Sequence, residues 1–197
     1  QNEKFYLLKK NVNINSDDFT LNADEVKINF KKDLYDIIEL NAKGNVKFNS
    51  TEFNMEGSGK SLKFEVQIEK LKVDGRGSEL ITQDIEMYSD GFIEVSNLNG
   101  NFTLKGKNSK LVSENILIEA ESIDGILSNK NKEITFLNVF DEKISYVKNI
   151  NTEMYAKKIN FDNTTSIIEL IDNVTIVRDG QKISGDYGTL DTKNNSY

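Results

Sequence analysis

Apolar and polar residues alternate with a period of two along most of this chain. "DEVKINF" puts Val26, Ile28 and Phe30 on one face, and "GNVKFN" does the same for Val46 and Phe48. "SLKFEVQIEKLKVD" spaces Leu62, Phe64, Val66 and Ile68 two apart, and "DIEMY" pairs Ile85 with Met87. The pattern continues through Ile93 and Val95, Phe102 and Leu104, Ile134 and Phe136, Ile159 and Phe161, and Val174 and Ile176. A period of two is that of a strand with one buried face. The best helical candidate, "SENILIEAESIDGIL", also alternates at Ile116, Ile118 and Ala120, which predicts a strand. Asn, Asp, Gly and Lys punctuate the runs, as turns require. The pattern predicts an all-β protein: a sandwich, barrel or jelly roll.

Several phrases occur twice. "KINF" stands at 27–30 and 158–161, "IIEL" at 37–40 and 167–170, and "NVKF" at 45–48 matches "NVTI" at 173–176. "EGSGKSLKF" at 56–64 matches "SGDYGTLDT" at 184–192, and "VDGRGSEL" at 73–80 reads as a third version. A weaker copy runs through "ILSNKNKEITFLNV", with Asn138-Val139 in the place of Asn45-Val46. The repeat bears on the one motif that suggests nucleotide chemistry, the "GSGKS" of residues 57–61. A phosphate-binding loop needs a glycine five residues before Gly59, where Asn54 stands, and a helix after it, where a strand period continues instead. A glycine phrase written three times is instead expected to be a recurring turn or bulge between strands, with Lys60 in it.

Composition narrows the chemistry further. The 197 residues suffice for one domain with a substantial core or for two small ones. Histidine, cysteine, proline and tryptophan are absent, which leaves no Ser-His or Cys-His nucleophile and no ordinary zinc site. The net charge is −7, and lysines alternate with acidic residues instead of forming a basic face, which argues against nucleic acid. Acidic residues fall on alternating exposed positions and read as solvated strand faces. The chain begins at Gln1, and a signal peptide or membrane anchor could have been removed upstream of it.

The repeated unit reads as an "ADEVKINF"-like strand, a turn, "IIEL", then "GNVKF" or "DNVTI" and a glycine phrase. It spans about 21–64 and 154–192. This pattern resembles the OstA-like repeat of the periplasmic lipopolysaccharide-transport proteins, the LptA/LptC group, with the C-terminal "GDYGTLDTKNNSY" favouring the LptA type. About half of the chain carries the resemblance; residues 66–150 fit only as strands. The resemblance implies a twisted antiparallel β-jelly roll, two sheets opening like a V, formed by residues 1–197 as a single domain. It further implies a non-enzymatic periplasmic protein without cofactor or metal. Such a protein holds the acyl chains of lipopolysaccharide between its sheets. It pairs its edge strands with other transport jelly rolls or with further copies of itself. The lipid-binding face would be the inward row: Val26, Ile28, Phe30, Val46, Phe48, Phe64, Ile93, Val95, Phe102, Leu104, Ile134, Phe136, Ile159, Phe161, Val174 and Ile176. Burying one long acyl chain gains on the order of 10 kcal/mol gross, so an apolar slot needs no further chemistry. Two alternatives stay open: a structural or surface β-repeat protein with a solid core, and a carboxylate-based carbohydrate-processing β-solenoid.

Overall fold

The computed structural model describes residues 4–32, 36–128 and 133–193. These residues form fourteen strands: β1 (Lys4–Asn15), β2 (Phe19–Phe30), β3 (Ile37–Ser50), β4 (Met55–Glu65), β5 (Lys70–Asp74), β6 (Ser78–Thr82), β7 (Ile85–Ser89), β8 (Phe92–Ser96), β9 (Asn101–Ser113), β10 (Ile116–Leu127), β11 (Ile134–Asn149), β12 (Thr152–Asp162), β13 (Ile167–Arg178) and β14 (Gln181–Asp191). All pair antiparallel. From β1 to β4, and again from β9 to β14, neighbours in sequence are neighbours in the sheet. Between β4 and β9 the short strands work in tandem. β5 and β6 lie end to end along β4, and β8 and β7 lie end to end along β9. Each tandem is one long strand broken in its middle, so the fold is a meander of long kinked strands.

The kinks make two sheets out of one. Pairing slips near the middle of nearly every long strand, for example between Lys9 and Val12, Lys43 and Val46, Phe140 and Ser145, and Ile171 and Val174. The Phe53 and Phe64 rings lie 6.1 Å apart, although a straight strand would separate them by about 36 Å. β4 therefore folds back across the interior. One sheet holds the strand halves that end in the 16–18, 51–54, 83–84, 114–115, 150–151 and 179–180 turns. The other holds the halves that end near 66–69, 97–100 and 163–166. A continuous cluster of buried aliphatic and aromatic side chains fills the angle between them. The result is a twisted antiparallel jelly roll with a V-shaped section.

Two local devices build the kinks. The first explains the repeated "GNV" phrase. Gly44-Asn45 and Asp172-Asn173 both have left-handed backbone, as do Lys10-Asn11 of "KNV". Asn tolerates this conformation better than most residues. The adjoining Val12, Val46 and Val174 each turn inward and are buried. The second device is serine. Ser78, Ser89, Ser109 and Ser145 are fully buried at kinks. Their hydroxyls donate to the carbonyls of Gly75 (2.6 Å), Lys105 (2.8 Å), Gly106 (3.0 Å) and Lys157 (3.1 Å). A carbonyl turned out of the ladder needs another donor, and these hydroxyls supply one.

Several expectations need correcting here. Gly57 and Gly59 are not in a turn; they lie inside β4, and Lys60 with them. A Cβ on Gly57 would stand 2.7 Å from the Phe48 ring, and one on Gly59 would stand 2.6 Å from Val73. Close packing, not turn geometry, requires these glycines. Gly75 and Gly77, both at positive φ, do form the break between β5 and β6. The strand expected to run on to Ile68 ends at Glu65, where Val66–Ile68 make one 3-10 turn. Asn138-Val139 lies within β11, well before that strand's kink, and does not match Asn45-Val46. The true third copy is Lys10-Asn11-Val12.

Candidate functional site

The two sheets part towards the C-terminal half of the meander and leave a cleft of about 890 Å³. Leu137, Val147, Met154, Ile159, Phe161 and Ile168 supply its apolar wall. They come from β11, β12 and β13, whose inward rows face each other across the V. The β6–β7 turn (Gln83, Asp84) and the β9–β10 turn (Glu114, Asn115) line its mouth. A second recess of about 240 Å³ continues along Met154, Ile168 and Leu190 to the last strand. A smaller one of about 150 Å³ runs the other way, past Thr82–Ile85 to Phe53 and Phe102.

Most of the predicted inward row is inward. Val26, Ile28, Phe30, Val46, Phe48, Ile93, Val95, Phe102, Leu104, Ile159, Val174 and Ile176 are buried. Phe64, Ile134 and Phe161 are half-buried and pack against the core at the mouth of the V. Phe136 is the exception: it points outward and is 40% exposed. Ile126 pairs with Phe136 while Leu127 pairs with Ile134, so one extra residue, Thr135, bulges from β11. A single-residue bulge reverses the parity of every later position on its strand. Leu137 and Val139 take the buried positions instead.

Of the sixteen residues, Ile134, Ile159 and Phe161 reach the large cleft, while Val95 and Phe102 border the small recess. Leu137, Val147, Met154 and Ile168 were not singled out from the sequence. Leu137 and Val147 lie beyond irregularities in β11 that a strict alternation cannot track. Met154 sits in "TEMYA", a run too short to stand out.

Among the described residues no charged side chain is buried; the charges lie on outer faces and rims. Glu39 accepts from Asn29 (3.2 Å) and Asn41, and pairs with Lys63 (3.0 Å). Burial pushes its carboxyl up, but those donors outweigh it and hold Glu39 below its ordinary value. Glu169 is the glutamate of the second "IIEL" phrase. It accepts from Asn160 (3.0 Å) and Tyr187 (2.9 Å), and these bonds lower it too. On β7 the Tyr88 hydroxyl donates to Glu86 (2.8 Å), which pushes the tyrosine up to about 12. Among the described residues no cluster of acidic side chains has the geometry of a metal site. No described helix is long and apolar enough to cross a membrane.

The outermost strands are bare along one side. Among the described residues β1 pairs only with β2, and β14 only with β13. Phe5, Tyr6, Leu7 and Leu8 are exposed on β1, as are Ile183 and Tyr187 on β14. Tyr6 stacks on Phe30 at 5.1 Å and Lys27 sits over the Phe5 ring at 4.7 Å, which ties these β1 side chains to β2.

Comparison with known proteins identifies this architecture. The family profile described as "LptA/(LptD N-terminal domain) LPS transport protein" matches residues 1–87 and again residues 86–196. The second match takes in most of the middle segment, where the repeat could not be traced by eye. A search of curated proteins finds no match. Among solved structures, one is described as LptH, the LptA-homologous periplasmic component of the conserved lipopolysaccharide transport device from Pseudomonas aeruginosa. It is similar over 57% of this chain and 79% of its own, at 18% identity and a TM-score of 0.46.

Proposed function

Because the chain belongs to the family of LptA and LptD N-terminal-domain lipopolysaccharide-transport proteins, we propose that it is a non-enzymatic periplasmic carrier that shelters the acyl chains of lipopolysaccharide between its two sheets. The observation that carries this reading is the cleft of about 890 Å³ between the C-terminal halves of the sheets, with Met154, Ile159, Phe161 and Ile168 in its wall. Hydrocarbon entering it exchanges water for apolar contact, at roughly 0.8 kcal/mol per CH₂. The head group stays at the mouth, where the turns are polar. Residues 1–197 act as one jelly-roll unit, because the repeats share one sheet path and one core.

The bare edges of β1 and β14 supply the second half of the reading. Each presents a row of unpaired backbone groups, and pairing with a neighbouring jelly roll would extend the sheet and its interior together. The partners would be other bridge proteins of lipopolysaccharide transport or further copies of this chain, favouring the LptA-type role.

Native mass spectrometry of detergent-free protein with lipopolysaccharide tests the lipid. A bound lipid that is lost in Ile159→Glu, with the fold retained by circular dichroism, is the expected result. An unfolded Ile159→Glu together with no lipid bound to the wild type would favour the solid-core β-repeat reading.

A further inference from the structure

Beyond the cleft, past the Thr82–Ile85 turn and the small recess, stands an aromatic contact. Phe53 lies in the four-residue turn between β3 and β4, on the rim of one sheet, and Phe64 lies near the end of β4 in the other. Their rings meet edge to face, 6.1 Å apart and inclined at 68°, across the mouth of the V. Phe53 also forms the end wall of the 150 Å³ recess, which shares the Thr82–Ile85 turn with the large cleft. On its far side the interior is filled: Phe48 covers Gly57, Val73 covers Gly59, and Leu62 is buried.

The second repeat lacks this closure for a reason visible in its register. The turn between β13 and β14 has only two residues, Asp179 and Gly180, against Thr51–Asn54 in the first repeat. The two deleted positions remove any counterpart of Phe53. With Gly59 opposite Val46 and Gly185 opposite Val174, the counterpart of Phe64 is Leu190 and that of Leu62 is Gly188. A Cβ on Gly188 would meet nothing nearer than 3.4 Å. Each difference takes volume away from the mouth of the second repeat and adds it to the mouth of the first.

Resting on the lipid reading above, we infer that Phe53 is the stop that confines acyl chains to the C-terminal half of the interior, with Phe64 as the surface it closes against. Lipid loads asymmetrically: it lies between β6 and β14, and the interior under β1 to β3 stays closed unless Phe53 moves. Phe53 is thus a specificity-determining residue, setting how much hydrocarbon one chain accepts.

The test places a photo-crosslinking amino acid either at Asn115, in the cleft lining, or at Phe19, which lies on the N-terminal side of Phe53. Each protein is loaded with purified lipopolysaccharide and irradiated. The expected result is crosslinking at Asn115 and background at Phe19. In Phe53→Ala the Phe19 signal rises to the level seen at Asn115. Phe64→Leu, which installs the residue of the second repeat, gives the same change and serves if Phe53→Ala does not fold. Equal crosslinking at both positions in the otherwise unchanged protein overturns the stop while leaving lipid binding intact. So does a folded Phe53→Ala or Phe64→Leu whose Phe19 signal stays at background. Absence of crosslinking at both positions overturns the lipid reading, and the stop with it.

Discussion

β4 and β14 occupy the same place in the two repeats, and both carry glycines on the inward face. In β4 the inward row is Gly57, Gly59, Leu62 and Phe64; in β14 it is Ile183, Gly185, Gly188 and Leu190. β4 has neighbours on both sides, and its glycines are notches into which Phe48 and Val73 press. β14 has a neighbour on one side only. Gly185 and Gly188 have no side chain pressed against them, and Gly185 is exposed. The same residue type in the same phrase therefore does opposite work. Inside the sheet it admits a neighbour; at the edge the space over it stays open.

The largest effect that separates these roles comes from Gly57→Val. Its Cβ would stand 2.5 Å from the Glu79 carbonyl oxygen, and backbone cannot yield as a side chain can. The expected loss is about 3 kcal/mol or more, read from the midpoint of urea unfolding. Unchanged stability would mean that β4 is as loosely packed as β14.

Next in size is the kink line. Ser145→Val puts two methyl groups in place of the hydroxyl that donates to the Lys157 carbonyl. A dry, unpaired carbonyl costs about 1–3 kcal/mol. Ser145→Ala should lose a similar amount, which assigns the cost to the hydrogen bond and not to the added methyl groups.

Asn45→Val and Asn173→Val put a β-branched residue at φ 50° and φ 57°. Each should cost about 1–2 kcal/mol, by the same amount in both repeats. A large difference between them in thermal unfolding would break the equivalence of the two "NV" kinks.

Gly188→Ala is the mirror of the first substitution. The new methyl meets Val174 at 3.4 Å, ordinary contact. Stability should hold or rise by about 0.5 kcal/mol, because a strand glycine loses more entropy on folding than alanine.

The smallest effect is on pH. Glu39 and Glu169 are both held below their ordinary values. A lowered folded-state pKa contributes stability above the unfolded-state value, which is lost as pH falls through the folded one. Acid titration of Asn29→Ala should lose part of the Glu39 contribution, with a shallower decline of stability below the ordinary glutamate range. An identical acid profile would show that the Asn29–Glu39 bond does nothing in solution.

Alternation along the chain was enough to establish an all-β protein and the burial of nearly every predicted inward side chain, because on a strand the next residue but one shares a face whatever the tertiary structure. Two of the three "NV" kinks, at Asn45 and Asn173, were legible as a repeated phrase but not as kinks; Asn is among the few residues that enter the left-handed region cheaply, so the phrase recurs where the chain bends. Phe136 was misplaced because one bulged residue, Thr135, reverses parity without any sign in the composition of its neighbours. The glycines of "EGSGKS" were legible as constrained, but not as notches, since the atoms that constrain them belong to Phe48 and Val73 on neighbouring strands. The cleft was beyond reach for the same reason on a larger scale. Whether an inward apolar row meets another row or empty space depends on the angle between two sheets. That angle is decided by turn lengths, kinks and one aromatic contact, Phe53 on Phe64, between residues of opposite sheets.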